Sequence, residues 1–369
     1  MNEEQQSAAL LAALRQVRDP GNGQDFVSTR RVRDVCIAGG VARFTVEPGY
    51  AARSQEAALR QALAEAALGV PGITGAEVQL APLIARHAVQ RGLKSLPSVK
   101  NIIAVASGKG GVGKSTVACN LALALAAEGA RVGLLDADIY GPSVPLMMGV
   151  PDARPDSDGQ TMEPVTAHGL ALMSIGFLVG EGQAAIWRGP MASQALEQML
   201  RQTRWDAAGE PLDYLVADLP PGTGDIQLTF GQRIALVGAV IVTTPQDIAL
   251  ADARRGVAMF EKVGVPVLGL AENMAVHVCQ HCGHEEHIFG QHGGEKYAAE
   301  QGIPFLGALP LALQVREAGD AGCPVVAAAP HSAHARLYRA MALKVAAGIA
   351  VSARDYSARI PPVAVEQTR

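Results

Sequence analysis

The chain has 369 residues, enough for two or three domains at roughly 150 residues each. Forty glycines, 49% hydrophobic residues and only 4% aromatics exclude a disordered chain and describe a core of Ala, Val, Leu and Ile, as in buried parallel strands. A net charge of −4 supplies no basic field to draw in nucleic acid or a membrane surface, so neither is expected as a partner.

The opening MNEEQQ lacks the basic-then-apolar layout of a signal peptide, and no run reaches the ~18 apolar residues of a membrane span. The apolar run from Val117 to Ala127 is broken by Asn120 and ends at Glu128. Five cysteines, an odd number, fit a reducing compartment, and a cytoplasmic location is expected.

Residues 1–80 read as a small α/β domain. A helix is predicted over Ala8–Val17, stopped by Asp19-Pro20-Gly21. Strands over Val32–Ile37 and Val41–Val46 are joined by Gly39-Gly40, a two-residue hairpin signal. A helix over Ser54–Ala67 and a strand over Ala76–Leu80 follow. Residues 81–100, with Arg86, Arg91, Lys94 and Lys100 and no acid, read as a linker with a short helix and a solvated basic face.

From 101 to about 355 the pattern alternates. Strands are predicted at Ile102–Ala106, Val132–Asp136, Tyr214–Asp218, Val240–Thr244, Val267–Leu270 and Phe305–Leu309, with helices between. That is the layout of a doubly wound, mostly parallel α/β sheet. Two stretches, about 140–189 and 273–294, carry no clear element, and such stretches inside a compact domain tend to be functional. Residues 356–369 read as a tail.

After the first of these strands stands Gly108-Lys109-Gly110-Gly111-Val112-Gly113-Lys114-Ser115-Thr116, which satisfies G-x-x-x-x-G-K-[ST]. Glycines let successive backbone N–H groups curl around an anion, and the following helix adds its positive dipole end. Lys114 reaches the β- and γ-phosphates of ATP and the Ser115 hydroxyl ligates Mg²⁺. The same residues also satisfy the dinucleotide fingerprint Gly108-x-Gly110-x-x-Gly113, with Asp136 near the offset of a ribose-binding acid. Lys114-Ser115 decides for the triphosphate, because a dinucleotide pyrophosphate needs neither group.

The second lysine of the loop, Lys109, makes the motif resemble the deviant Walker A class, which includes MinD and the nitrogenase iron protein. The resemblance implies that Lys109 crosses a dimer interface to the partner's nucleotide, with the logic of an arginine finger. It also assigns the strand-end acids. Asp138 orients or deprotonates the attacking water, Asp136 holds the magnesium shell through water, and Asp218, which opens Asp218-Leu219-Pro220-Pro221-Gly222-Thr223-Gly224-Asp225, binds a magnesium water. Asn273 matches the position whose amide reads adenine, for which a paired donor and acceptor are suited.

Cys279-Gln280-His281-Cys282 offers two thiolates, half of what a metal or cluster requires. The residues leave three completions open: a short zinc site with His284 and His287, a redox dithiol, or a second subunit contributing its own pair around an iron–sulfur cluster. Cys36, Cys119 and Cys323 are expected to be small buried hydrophobes.

Taken in order, the phosphate loop, the segment Asp136–Ser143, Trp187–Met191, Asp218–Asp225 and ENM followed by C-x-x-C-G resemble the Mrp/ApbC family of iron–sulfur cluster carrier ATPases over about residues 100–350. The family implies a homodimer bridged by a [4Fe–4S] cluster on Cys279 and Cys282 of each subunit, slow ATP hydrolysis, and delivery of the cluster to apo iron–sulfur proteins alongside cluster assembly factors. Residues 1–80 resemble, more weakly, the small domain that precedes the ATPase in bacterial members. There the loop after the second strand usually carries a cysteine, whereas this chain has Glu47-Pro48-Gly49-Tyr50-Ala51-Ala52, which points to a docking module. The rival readings are a MinD/ParA-like positioning ATPase, which expects a basic amphipathic C-terminal helix, and a zinc-stabilised regulatory ATP-binding protein.

Overall fold

A computed structural model describes residues 3–90, 92–178, 189–222 and 224–353. Trp187, Arg188, Thr223 and the 356–369 tail therefore lie outside the described residues.

The N-terminal part runs α1 (Glu3–Leu14), β1 (Val32–Ala38), β2 (Val41–Val46), α2 (Glu56–Leu68) and β3 (Gly75–Leu80). The β1–β2 hairpin turns on Gly39 and Gly40 with φ of 59° and 80°, both left-handed, as a two-residue turn matched to strand twist requires. β3 joins β2 in parallel, and one face of this three-stranded sheet packs on α1 and α2 around Leu10, Leu14, Phe44, Leu59 and Leu63. The helix expected in the linker is absent from the described residues of 81–98, where Arg86 instead donates to the carbonyls of Leu96 and Pro97.

The rest runs β4 (Val99–Ala106), α3 (Lys114–Ala127), β5 (Val132–Asp136), α4 (Val144–Met147), β6 (Val165–Ala167), β7 (Leu170–Ser174), α5 (Gly189–Gln202), β8 (Leu212–Asp218) and α6 (Asp225–Arg233). Then come β9 (Leu236–Thr243), α7 (Asp247–Lys262), β10 (Val267–Glu272), β11 (His277–Val278), β12 (Glu285–Glu286), α8 (Gly293–Gln301), β13 (Phe305–Ala308), α9 (Leu313–Asp320), α10 (Val325–Ala328) and α11 (Ala333–Ala350). Eight strands form one sheet in the order β13-β10-β9-β4-β8-β5-β7-β6, parallel except for the terminal β6–β7 pair. The doubly wound reading holds. The 140–189 stretch hides two strands, β6 and β7, because they are short and belong to an edge hairpin with no helix between them.

Central strands β5, β8 and β9 are buried along their whole length, which is why they read as unbroken aliphatic runs. α3 is apolar on nearly all sides because it is enclosed between the sheet and α11. Cys119 is fully buried on it, as expected. Cys36 is exposed and Cys323 half-buried, which corrects their reading as core residues. On β1 the register shifts between Arg33 and Cys36, so simple alternation does not decide which face Cys36 takes.

The loop after β2 helps seat the N-terminal part against α3 and α11. Tyr50 and Ala51 belong to the large core, and the Tyr50 hydroxyl donates to buried Asp19. Arg31 donates to the Ala350 carbonyl at the end of α11. Glu128, the cap residue of α3, is 2% exposed and accepts from the Ser54 amide at 2.8 Å and from Arg339 Nε at 2.7 Å. Glu128→Ala leaves both donors without their acceptor and is expected to cost about 1–3 kcal/mol in urea unfolding. An unchanged midpoint would remove this anchor from the account.

Candidate functional site

The C-terminal ends of β4, β5 and β8 open on one edge of the sheet, where the chain crosses into the phosphate loop. Gly111 and Gly113 have φ of 82° and 81°, which lets the backbone curl tightly before α3 begins at Lys114. A methyl group on Gly113 would collide with the Asn273 amide, and one on Gly108 would collide with the Asp252 backbone on α7. Glycine is thus required by two close approaches as well as by conformation. Lys109 is half-buried at the start of the loop, where Ser107 Oγ donates to its carbonyl at 2.9 Å. The following Thr116 lies in the first turn of α3 and gives its carbonyl to Asn120.

Lys114 is buried, and its Nζ lies 2.5 Å from Asp218 Oδ1, 3.9 Å from Asp138 Oδ2 and 3.3 Å from Ser115 Oγ. Asp136 and Asp218 are register partners across β5 and β8. Burial raises both carboxyls. The neighbouring Asp218 charge raises Asp136 further, to about 7, whereas Lys114 pulls Asp218 back down. Burial also raises Asp138, with Lys114 opposing.

The sequence thus brings Lys114, Ser115, Asp136, Asp138 and Asp218 into one cluster, but Asp136 has other work as well. Its Oδ2 accepts from the Val144 amide at 3.1 Å and Ser174 Oγ at 3.0 Å, and its Oδ1 accepts from the Asp138 amide at 3.2 Å. It therefore pins the turn that carries Asp138. Ser174 escaped the sequence reading because its strand did.

Asp218 Oδ2 is buried without a hydrogen-bond partner among the described residues. An orphaned carboxylate oxygen beside the Ser115 hydroxyl fits a hydrated divalent cation. Gln227, two residues past the Asp218–Asp225 motif, is buried and donates to the Pro220 carbonyl, while Gly222 donates to Ser107 at 2.9 Å. The loop after β8 is therefore held both by its own helix and by the phosphate loop.

β10 extends past Leu270 to Glu272, so Asn273 follows the strand directly. Its amide nitrogen donates to the Val112 carbonyl at 2.9 Å, tying the phosphate loop to the chain that leads to the cysteines. Beyond it, β11 and β12 form a two-stranded hairpin, His277 opposite Glu286 and Val278 opposite Glu285. Cys279 and Cys282 stand at its tip. The Cys279 amide donates to the His284 carbonyl and the Gly283 amide to the Cys279 carbonyl, with Gly283 at φ of 73°.

The Cys282 and His281 backbone N–H groups turn toward the Cys279 sulfur and hold its thiol below the usual range. Cys279 is half-buried and Cys282 exposed. Among the described residues no group of three or more His, Cys, Asp or Glu side chains converges on a metal position, and His287 Nδ1 is engaged 3.0 Å from the Ala275 carbonyl. Among the described residues no helix is long and apolar enough to cross a membrane.

The raised Asp136 carboxyl has a consequence for the nucleotide-free protein. Folded Asp136 keeps its proton to about pH 7, whereas the unfolded chain loses it near 3.8. Its stabilising contribution is complete below about pH 4 and is lost as pH rises through 7. Asp136→Asn is expected to flatten the fall in stability over that window, measured by urea unfolding at successive pH values. An unaltered slope would mean that folded Asp136 is ionised throughout.

A family model described as the NUBPL iron-transfer P-loop NTPase matches residues 98–346, and one described as an iron-sulfur cluster assembly protein matches residues 7–80. The iron-sulfur cluster carrier protein of Haemophilus influenzae is 49% identical over 333 residues, covering 90% of this chain and 89% of its own. That of Escherichia coli K12 is 57% identical over 279 residues, 74% of each chain. A solved nucleotide-binding protein from Archaeoglobus fulgidus, in complex with ADP, aligns with a TM-score of 0.54 at 37% identity, covering 61% of this chain and 87% of that one. The chain belongs to the iron-transfer P-loop NTPases, the family of the iron–sulfur cluster carrier proteins.

Proposed function

We propose that this chain is an ATP-dependent carrier that binds a [4Fe–4S] cluster between two copies of itself, hydrolyses ATP slowly and hands the cluster to apo-proteins in the cytoplasm. The observation that carries the reading is the hairpin. It presents two cysteines with a sulfur already facing backbone donors, in a place where the chain supplies half of a four-thiolate set. A two-fold axis doubles the pair without new sequence. In this reading residues 101–355 are the ATPase unit with the cysteine segment, 81–100 the linker, and 1–80 a docking unit.

The phosphate loop, residues 108–116, takes the ATP phosphates on its backbone N–H groups. Lys114 leaves its ion pair with Asp218 for the β- and γ-phosphates. Ser115 and Asp218, with Asp136 behind them, are the residues that would hold hydrated Mg²⁺, which when bound neutralises developing phosphate charge. Asp138 faces the attacking water, Lys109 reaches the partner's nucleotide, and Asn273 borders the base. The carrier names of the relatives support cluster delivery, and the orphaned Asp218 oxygen supports the cation.

Lys114→Ala is expected to lose ATP binding in calorimetry while remaining folded in a thermal scan; unchanged affinity would defeat the nucleotide assignment. Lys109→Ala and Asp138→Asn are expected to spare ATP binding more than turnover. Mixed dimers of the two variants are expected to recover activity through one intact composite site. Recovery under no pairing would remove Lys109 from the partner's site.

The reconstituted protein is expected to hold about four iron per dimer. Cys279→Ala or Cys282→Ala should lose it while retaining ATP, whereas Cys36→Ala, Cys119→Ala and Cys323→Ala should keep it. One zinc per chain that resists chelator, with no iron uptake, would replace the carrier reading with a zinc-stabilised ATP-binding protein.

A further inference from the structure

The segment 273–293, which carries both cysteines, leaves the sheet at the end of β10 and returns at the start of α8. Its two ends are tied together by a residue that no role described above uses. Glu272, the last residue of β10, is 2% exposed, and its Oε2 accepts from the Gly294 amide in the first turn of α8. The approach is close: a methyl group on Gly294 would stand 2.9 Å from that oxygen and 2.8 Å from Leu270, and one on Gly293 would stand 2.6 Å from the Pro245 carbonyl. The glycine pair lets the helix start sit against the carboxylate.

The neighbouring residue points the other way. Asn273 holds the Val112 carbonyl in the phosphate loop, and its own amide donates to Thr243 at 2.7 Å. Met274 then adopts φ of 56°, a left-handed conformation that is unfavourable for a residue with a side chain of this kind. It is kept there because both flanks are fixed, with Asn273 bound to Thr243 and the Ala275 amide bound to the Leu309 carbonyl at 2.9 Å. The Glu272 carbonyl accepts from Leu309 at 2.8 Å, so one dipeptide meets the phosphate loop, the sheet edge and the base of the cysteine segment.

We propose that Glu272 is a positioning residue that couples nucleotide binding to the cysteine hairpin: by clamping Gly294 it closes the base of the 273–293 segment, whose other anchor, Asn273, grips the phosphate loop. A nucleotide that shifts Val112 then moves the hairpin as a unit, and without the clamp the segment absorbs the shift. The proposal rests on the reading of Cys279 and Cys282 as metal ligands. By linkage, a nucleotide that alters metal affinity is itself altered in affinity by the metal, to the same factor.

The test uses full-length protein stripped of metal and titrated with Co(II), read by thiolate-to-cobalt absorption, with and without a non-hydrolysable ATP analogue and Mg²⁺. In the unaltered protein the analogue is expected to shift the Co(II) midpoint by about fivefold or more. Glu272→Ala should shrink that shift below about twofold, with each separate affinity kept within about threefold. Glu272→Gln, whose amide oxygen still accepts from Gly294, should retain it. Gly294→Ala, which drives the carboxylate away from the opposite side, should repeat the Glu272→Ala result and stands in for it if that variant does not fold. A full shift in Glu272→Ala, a loss in Glu272→Gln, or no shift in the unaltered protein overturns the coupling. Failure of the cysteines to take up Co(II) at all overturns the ligand reading and the coupling together.

Discussion

Asp138 and Asp218 are drawn around the single amine of Lys114 at the edge of the sheet, and Asp136 stands opposite Asp218 on the neighbouring strand. In a low-dielectric setting this excess of negative charge is unstable unless something compensates it. Lys114 neutralises Asp218 at 2.5 Å, and a proton retained to about pH 7 relieves Asp136. The remaining imbalance is what a bound cation and a lysine drawn toward phosphate would redistribute. Bringing the four residues together from positions far apart in the chain requires strand ends that open on one edge. A parallel sheet with β8 between β4 and β5 provides them, and that arrangement in turn requires strands buried on both faces. The aliphatic, aromatic-poor composition follows from the same constraint.

α3 runs from the phosphate loop away from the site. At 1.5 Å per residue its 14 residues span about 21 Å, from Lys114 to the cap at Glu128, and they are buried for most of that length. Glu128 is also where the loop at residues 53–54 is received. A loop of the N-terminal part is thus seated on the far end of the helix that begins at the phosphate loop. In the same loop Tyr50 and Ala51 pack into the large core.

Much of this was legible in the residues because their chemistry is local. The phosphate loop, the strand-ending acids and the cysteine pair each declare themselves within about ten positions, and buried strands such as Val132–Asp136 announce their own bounds. What stayed hidden depends on partners distant in sequence. Ser174 matters only because β7 lies beside β5, and Glu128 only because a loop more than seventy positions earlier comes to rest on it. Glu272 lay next to a residue already singled out, yet no motif signals that a carboxylate will accept from a helix start 22 residues later. The linker helix failed for a related reason: Arg86 spends its side chain on the carbonyls of Leu96 and Pro97, a tertiary contact that local propensity does not report.

On the proposed reading the cysteine hairpin differs from a structural metal knot. A structural zinc site closes four ligands around the ion and derives folding energy from it. In this chain the hairpin is held by backbone bonds, from Cys279 to His284 and from Gly283 to Cys279, and by the pairing of its two short strands. The backbone donors that hold the Cys279 thiol low favour the thiolate, the form that binds and exchanges metals. Cys282 meanwhile remains open to approach. If the pair binds metal as proposed, a site that supplies two thiolates rather than four and keeps them near the surface suits cargo that must be released. On the proposed reading, the second subunit supplies affinity by completing the thiolate set, and nucleotide-driven movement of the subunits supplies release.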